Sequence, residues 1–298
     1  MPVAVLGSIN LDLSHRVAAL PRPGETVRAS SSERHAGGKG LNQAIAAARA
    51  GADVHITAAV GDDEAGRWLT GELVAAGVEV SGLVRLDAPT GGAQIVVGDG
   101  GENLIVVTPG ANALLLPVHL QPPAGPGVRL AQLEVPVEAI EAFFRQPGPA
   151  IRILNAAPAE PEGRRLLPLT DILIVNESEL AAYAGLVADP DTPETAAEAA
   201  RTLLSRPGQT VLVTLGKAGA IAVTDTETLA VAGRPARAVD TTGAGDCFCG
   251  ALAAALDEGQ PMRQALRFAN LAASLSVEKP GAAASMPSRA EIDAALEG

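Results

Sequence analysis

The sequence is poor in aromatic residues, with one tryptophan, one tyrosine and four phenylalanines among 298 residues. The core must therefore be built from alanine, valine, leucine and isoleucine, and few rings are left to stack on nucleic-acid bases. Basic residues are also in the minority, because the formal net charge is -12. Nucleic-acid binding needs a basic surface, so we expect no nucleic acid among the partners.

Cysteine is nearly absent. The two cysteines, Cys247 and Cys249, are one residue apart, a spacing that excludes a mutual disulfide and most metal-binding patterns. The sequence also has no apolar run of about 18 residues and no basic leader with a cleavage site, so it predicts neither a membrane span nor a secretion signal. We expect a cytoplasmic protein with no membrane partner, whose cysteines are small buried or half-buried residues.

The sequence is rich in hydrophobic residues, which make up 47% of the chain. Short apolar runs typical of buried strands, first at 3–7, alternate with helical patterns from 128 to 215. This alternation favours right-handed βαβ crossovers. We predict a single α/β domain over residues 1–298, with a doubly wound, mostly parallel sheet and helices on both faces. The proline- and glycine-rich stretch at 121–127 is predicted to be a surface loop.

Two β-rich regions do not fit the βαβ pattern. Residues 13–36 contain short alternating pieces around a polar, proline-containing stretch, and residues 90–97 and 103–108 are joined by a glycine-rich turn. Because these regions are interleaved with the main fold, we predict a small β-sheet lid inserted from about residues 12–36 and 90–110.

The segment from Asp240 to Asp246 reads Asp-Thr-Thr-Gly-Ala-Gly-Asp and precedes an apolar helical pattern. Its glycines allow a tight bend that turns several amides toward one point, which predicts an anion site at a helix N-terminus. Asp246 lies in the first turn, where it can either cap the helix or face the anion. A base beside a bound phosphate suggests phosphoryl transfer.

Polar residues follow the first predicted strand and precede the first helix. Asn10 and Asp12 would point the same way on an extended segment and suit a pair of sugar hydroxyls, although an Asx turn also explains them. The glycine turn at 37–42 is not a Walker A loop, because Glu33 and Gly40 stand where that loop needs Gly and Ser or Thr. It either presents backbone and Asn42 to a ligand or simply starts a helix.

Further polar residues lie near later strand ends, at Glu134, Asn155 and Asn176. Asn176 and Glu179 open a helix, where capping explains Asn176 but both side chains can also reach a site at the helix start. A further glycine turn follows a strand at 214–219.

Taken in this order, the motifs resemble those of the ribokinase (PfkB) family of carbohydrate kinases, and the resemblance runs from Val3 to about Ala295. Thr90, residues 101–103 and residues 110–112 also match. The resemblance implies ATP-dependent phosphorylation of D-ribose at O5, which gives D-ribose 5-phosphate and ADP. It also implies a homodimer formed through the lid.

The resemblance further implies roles for individual residues. The catalytic residues are Asp246 as general base and the backbone amides of Gly243, Ala244 and Gly245 as anion hole. The sugar-binding positions are Asn10, Asp12, Gly38, Lys39, Gly40, Asn42, Glu134 and Asp246. The ATP-binding positions are Asn176, Glu179, Thr214, Leu215, Gly216, Lys217, Ala218, Gly219, Gly245 and Asn270. Mg²⁺ would arrive with ATP and be oriented through water near Asn176 and Glu179. The ligands of a monovalent cation, usually K⁺, are Asp240, Thr242, Ser276, Lys279, Gly281 and Ser285.

Other functions compete with this interpretation. The acceptor could instead be 2-deoxyribose, another pentose or a nucleoside, although a purine nucleoside would need an aromatic shelf for which the chain has little material. A non-catalytic sugar-binding regulator is a second alternative, but such a protein has no need of Asp246 beside an anion hole. A Rossmann dehydrogenase is disfavoured because no G-x-G-x-x-G follows the first strand.

Overall fold

The computed structural model describes residues 2–121 and 127–297. Its strands are β1 (Val3–Leu6), β2 (Asn10–Val17), β3 (Ser31–Gly37), β4 (Val54–Gly61), β5 (Glu79–Leu86), β6 (Gly91–Gly98), β7 (Asn103–Thr108), β8 (Gly127–Gln132), β9 (Ala150–Asn155), β10 (Ile172–Asn176), β11 (Thr210–Thr214), β12 (Gly219–Val223) and β13 (Thr228–Ala232).

The α-helices are α1 (Lys39–Arg49), α2 (Glu64–Ala75), α3 (Val137–Arg145), α4 (Glu177–Ala184), α5 (Pro193–Arg201), α6 (Ala244–Asp257), α7 (Met262–Ser276) and α8 (Arg289–Glu297). The short 3₁₀ helices are Gly110–Leu114, Pro117–His119, Pro161–Leu169, Gly216–Ala218 and Ala283–Ser285. Within the described ranges, no helix has the length and apolar character needed to cross a membrane.

Within residues 2–121 and 127–297, the main sheet has nine strands in the order β13-β12-β11-β10-β9-β8-β1-β4-β5. The pairings from β5 to β11 are parallel, and β12 and β13 add an antiparallel hairpin at one edge. The chain winds outward from β1 through β4 and β5 on one side, and from β8 through β11 on the other. The switch in direction therefore falls between β1 and β8, where open α/β sheets bind ligands at the carboxyl ends of the strands.

Two hydrophobic cores cover the two faces of this sheet, as the predicted doubly wound fold requires. Alternate residues of β1 face opposite sides, since Val3 and Val5 belong to one core and Ala4 and Leu6 to the other. The first core is closed by α1, α6 and α7, and the second by α3, α4 and α5. Both cysteines are free and buried in the first core, as expected from the sequence.

The small sheet has four strands in the order β3-β2-β6-β7. β2 pairs antiparallel with β3 and parallel with β6, and β6 pairs antiparallel with β7. All six residues of β7 are exposed. The predicted loop at 121–127 is described only at its ends, because residues 122–126 lie outside the described residues, and Gly127 begins β8.

Candidate active site

The switch between β1 and β8 places Ser8 and Glu134 side by side. Ser8 donates a hydrogen bond from its hydroxyl to the Glu134 carboxylate, which also accepts the Lys39 amide at 3.0 Å. The Leu41 amide donates to the Ser8 carbonyl at 3.0 Å. These bonds tie the start of α1 to the strand ends, so that residues of α1 face the switch point.

Two glycines allow α1 to approach β1 this closely. Gly38 has a φ of +88°, a conformation that favours glycine. A Cβ on Gly40 would lie 2.5 Å from the carbonyl carbon of Gly7. The glycine turn at 37–40 is thus required by close backbone packing as well as by helix initiation.

Asn10 begins β2 and is buried against Asn112. Asn112 donates to the Asn10 Oδ1 at 2.8 Å and to the Ile9 carbonyl at 3.1 Å, and its Oδ1 accepts the Ile9 amide at 3.0 Å. These bonds fix the plane of the Asn10 amide. Asn10 belongs to a regular strand, so the structure contains a β-strand where an Asx turn was the alternative.

Asp12 lies two residues further along β2, over Gly37 of the adjacent strand. A Cβ on Gly37 would lie 2.0 Å from a carboxylate oxygen of Asp12, so the missing side chain makes room for this carboxylate. Burial, with a further contribution from the charge of Glu134, raises the pKa of Asp12 to about 7. Asp12 and Glu134 therefore form an acidic region next to the start of α1.

Asp246 lies in the first turn of α6 but does not cap this helix, whose N-cap has no side-chain hydrogen bond. Its carboxylate instead accepts hydrogen bonds from α1, one from Asn42 Nδ2 at 3.0 Å and one from Gln43 Nε2 at 2.9 Å. Gly250 lets the two helices approach, because a Cβ there would lie 2.5 Å from the Gln43 carbonyl oxygen.

The charges around Asp246 act in opposite directions. Burial raises the pKa of Asp246, whereas Lys39 and the amides of Gln43 and Asn42 limit the rise. For Lys39, burial alone would lower the pKa, but the carboxylates of Asp246, Glu134 and Glu179 outweigh burial and raise it. Lys39 is therefore held as a cation among carboxylates.

The loop before α6 forms a turn at Gly243, which has a φ of +76°. A Cβ there would lie 2.9 Å from Ala282 Cβ, so this position needs glycine for both its conformation and its contacts. The first amides of α6 have no partner one turn earlier in the helix. Among them, the Ala244 amide donates to the Thr241 carbonyl at 3.2 Å, so it is already engaged in the turn.

Two cavities meet at this loop. The smaller, of about 200 Å³, is lined by Lys39, Asp246 and Asn155, and by the loop before α6, which we call the anion loop (Thr241, Gly243, Ala244 and Gly245). The larger, of about 700 Å³, lies beyond the loop and has more apolar walls, including Phe248 and Val277. The residues shared by both cavities are Asn176, Thr214, Thr241, Ala244 and Gly245.

Most of the predicted nucleotide residues line one or both of these cavities. Asn176 and Glu179 form a reciprocal capping box, in which each accepts the other's backbone amide, at 2.8 and 2.9 Å. Both nevertheless line the smaller cavity. The larger cavity is lined by Thr214, Gly216, Lys217, Gly219, Gly245 and Asn270. Leu215 is buried in the second core, and neither it nor Ala218 lines either cavity.

The predicted cation residues come from two segments that hydrogen bond to each other. Asp240 accepts the amides of Thr242 at 2.9 Å and Gly281 at 2.8 Å. Ser276 and Ser285 are buried, and each donates its hydroxyl to a nearby backbone carbonyl. The Lys279 side chain donates to Glu291 at 2.6 Å, so its charge is paired with that carboxylate.

Several polar residues of the site were not assigned a role from the sequence. They are Ser8, Gln43, Asn112, Gln132 and Asn155, all buried. Gln43 and Asn112 stand inside matching motifs, and Asn155 ends a predicted strand, so position gave a signal for these three. Gln132 carries no such signal, because a polar residue inside an apolar strand has no local feature that points to a site.

The model of pfkB family carbohydrate kinases matches residues 2–289 of this chain. Over 299 residues the chain is 36% identical to the bifunctional ribokinase/ribose-5-phosphate isomerase A of Fructilactobacillus sanfranciscensis, covering 97% of this chain and 55% of that protein. The chain therefore spans about half the length of that relative. It is 34% identical to the ribokinase of Staphylococcus aureus over 300 residues, with 98% of each chain covered.

Among solved structures, the fold is similar to that of Arabidopsis thaliana ribokinase complexed with ribose and ATP. The TM-score is 0.87 and the sequence identity 31%, with 100% of this chain and 99% of that chain covered.

Proposed function

Because the chain belongs to the pfkB family of carbohydrate kinases, we propose that it transfers the γ-phosphoryl group of ATP to O5 of D-ribose, giving D-ribose 5-phosphate and ADP. The observation that carries this proposal is the Asp246 carboxylate, which is held by α1 on the wall of a cavity adjoining a larger one. The ribokinase relatives, and a similar structure that holds ribose and ATP, support these two substrates.

Asp246 acts as the general base. A primary hydroxyl is a poor nucleophile at neutral pH, so its proton passes to the carboxylate as O5 bonds to the γ-phosphorus. The bond from that phosphorus to the β,γ-bridging oxygen breaks, and its electron pair leaves with ADP. Burial raises the pKa of Asp246 and so strengthens it as a base, while Lys39 and the two amides favour the ionised form that must accept the proton.

The transferred phosphoryl group is stabilised by the start of α6. The amides of Gly243, Ala244 and Gly245 and the helix dipole supply positive potential there. The amide of Ala244 must exchange its bond to Thr241 for one to phosphate. Lys39, which also lines the smaller cavity, adds a cation.

The sugar lies between the small sheet and α1. Asn10 and Asp12 contact its hydroxyls from β2, and Gly38, Gly40 and Asn42 contact it from the start of α1. Glu134 accepts from the sugar while it also holds Ser8 and Lys39. Closure of the small sheet as a lid excludes water, which otherwise competes with O5 for the phosphoryl group.

The nucleotide occupies the larger cavity. Its phosphates reach the shared residues Asn176, Thr214 and Gly245, and its base lies toward Asn270 and Val277. Neither Leu215 nor Ala218 lines the cavity, and both support the turn that carries its lining residues, since the Ala218 amide donates to the Leu215 carbonyl at 2.9 Å. Asn176 and Glu179 would orient the water ligands of Mg²⁺ bound to ATP, and the ion would neutralise phosphate charge.

A monovalent cation, K⁺, fits the donor set at Asp240, Thr242, Ser276, Lys279, Gly281 and Ser285. All of these groups offer oxygen, from one carboxylate, hydroxyls and backbone carbonyls. Gly281 has a φ of +84°, so its segment curves toward Asp240. When bound, the cation supplies positive charge beside the anion loop.

We also propose that the chain forms a homodimer through the small sheet and acts in the cytoplasm. In support of the dimer, Leu104, Ile105, Val106 and Val107 of β7 are each about half exposed, which is unusual for four consecutive apolar residues. The free, buried cysteines are consistent with a reducing compartment.

A coupled ADP-release assay tests the substrate. We expect D-ribose to be phosphorylated faster than 2-deoxyribose, fructose or nucleosides, and NMR of the product to place the phosphate on O5. The proposal is contradicted if ADP release does not depend on ribose, or if a nucleoside is phosphorylated faster than ribose.

A further inference from the structure

A hydrogen-bonded series of buried side-chain amides, which we call the amide network (Gln132, Gln43 and Asn155), leads to Asp246 from the interior of the main sheet. Gln132 of β8 donates from Nε2 to Gln43 Oε1 at 2.7 Å. Gln43 in turn donates from Nε2 to two acceptors, Asp246 Oδ1 at 2.9 Å and Asn155 Oδ1 at 3.0 Å. Gln43 and Gln132 are fully buried, and Asn155 is 7% exposed.

The hydrogen-bond partners of the amide network allow only one orientation of each amide. Asn155 donates from Nδ2 to the Ile174 carbonyl at 3.4 Å, so its Oδ1 faces Gln43. An ionised Asp246 can only accept. Gln43 therefore turns its nitrogen toward both acceptors, and its own oxygen needs a donor, which Gln132 supplies.

We propose that Gln43 is a positioning residue for Asp246, and that Gln132 sets the orientation of Gln43. The inference rests on the proposed function, in which Asp246 accepts the O5 proton. Gln43 holds Oδ1 of the carboxylate while Asn42 holds Oδ2. A base fixed in this way needs little reorganisation during the reaction.

Two glycines leave the space that the amide network occupies. Gly7 of the segment after β1 leaves room for the Gln132 amide, because a Cβ at Gly7 would lie 2.0 Å from Gln132 Oε1. Gly250 of α6 lies against the backbone of Gln43. The amide network therefore depends on the close contacts between β1, β8, α1 and α6.

Removal of the Gln43 amide is the first test. In Gln43→Met, kcat should fall by about ten- to a hundredfold, because a hydrogen bond to a charged group is lost. The KM for ribose should change by less than about threefold, because the loss concerns the transition state. The acidic limb of the kcat/KM profile should move to higher pH, since a donor that favours the ionised carboxylate is gone.

The charged and titratable groups that face Asp246 are unchanged in this variant, so the shift of the profile reports the lost amide. They are Lys39, Glu134, Glu179, Cys247 and Cys249.

A double-mutant cycle tests the role of Gln132. Gln132→Met should lower kcat less than Gln43→Met does. In Gln132→Met, Gln43 can still donate to Asp246 and loses only the donor that orients its amide. The double variant should be no slower than Gln43→Met alone, since Gln132 acts through Gln43. If the fold-loss of kcat in the double variant equals the product of the two single losses, Gln132 does not act through Gln43.

Gln209→Met is the matched control. Gln209 is also fully buried, and its amide donates to the carbonyls of Leu167 and Thr170, at the amino-terminal end of β11 and away from the site. We expect lower stability from this variant but an unchanged kcat and pH profile. Equal losses of kcat in Gln209→Met and Gln43→Met, or an unmoved pH profile in Gln43→Met, overturn the positioning role. If Asp246→Asn also keeps its turnover, Asp246 is not the base and the positioning role fails with it. If the native protein shows no ribose-dependent ADP release, the proposed function fails; if only the Gln43 result fails, the proposed function stands.

Discussion

Asp12 changes charge near neutral pH, because burial beside Glu134 raises its pKa to about 7. A carboxylate accepts hydrogen bonds from sugar hydroxyls more strongly when it is ionised. At pH 6 most of the free protein carries a protonated Asp12, which must lose its proton before ribose binds. We therefore predict that ribose binds about tenfold more weakly at pH 6 than at pH 8, measured by calorimetry.

The control for this prediction is Asp12→Asn. This variant should bind ribose more weakly than the native protein at pH 8, and its affinity should hardly vary between pH 6 and pH 8. A native affinity that stays constant over the same range contradicts the assigned role of Asp12.

For single residues the sequence offers candidates for the site but says little about how their side chains are arranged. The first-turn position of Asp246 allowed capping or a role in the site, and only its contacts with Asn42 and Gln43 decide against capping. Asn176 fits both interpretations at once, because it caps α4 and lines the cavities. Gln132 could not be found from sequence, since its partner is 89 residues away.

At the scale of elements, the close approach of α1 to β1 depends on Gly40. A methyl group at Gly40 would meet the backbone of Gly7 at 2.5 Å, so α1 must move and take Lys39 and Asn42 with it. We predict that Gly40→Ala lowers the free energy of unfolding by about 2 kcal/mol or more. Its kcat should fall with it, which thermal unfolding and steady-state kinetics can measure.

Gly71→Ala is the control for that prediction. Gly71 is inside α2, and a methyl group on its Cα would extend into open space. Alanine there should raise the free energy of unfolding by up to about 1 kcal/mol without changing kcat. If Gly40→Ala is as harmless as Gly71→Ala, α1 is not held as described.

The two segments around Asp240 and Gly281 give a second prediction at this scale. Activity should fall in buffer without Na⁺ and K⁺ and recover when K⁺ is added. Asp240→Asn should weaken this activation, because the carboxylate is the charged donor of the set. A native rate that is indifferent to K⁺ contradicts the assignment.

The alternation of strands and helices allowed most elements of the main sheet to be predicted from sequence. The turn at 98–102 was also predicted. The parallel pairing of β2 with β6 could not be, because these strands are far apart in the chain and no local pattern records which strands pair. The 3₁₀ helix Pro161–Leu169 was missed because proline and glycine interrupt its periodicity.

For the whole molecule, the exposed apolar strand β7 predicts a dimer. Leu104 and Val107 point to opposite faces of the strand, so lysine at both positions puts a charge on each face. We predict that Leu104→Lys/Val107→Lys sediments as a monomer under conditions in which the native protein is a dimer.

The matched control for the dimer is Val187→Lys. Val187 is a fully exposed apolar residue that lies outside the small sheet, after α4. This variant should remain a dimer. A native protein that is monomeric at all concentrations, or a β7 variant that stays dimeric, contradicts assembly through the small sheet.

The proposed reaction depends on Asp246 as the acceptor of the sugar hydroxyl proton, and Asp246→Asn removes that acceptor. The amide keeps the shape of the carboxylate but cannot act as a base. We predict that kcat falls by at least about a hundredfold, while ribose binding measured by calorimetry changes by no more than a few fold. Turnover near the native rate in this variant would show that Asp246 is not the base.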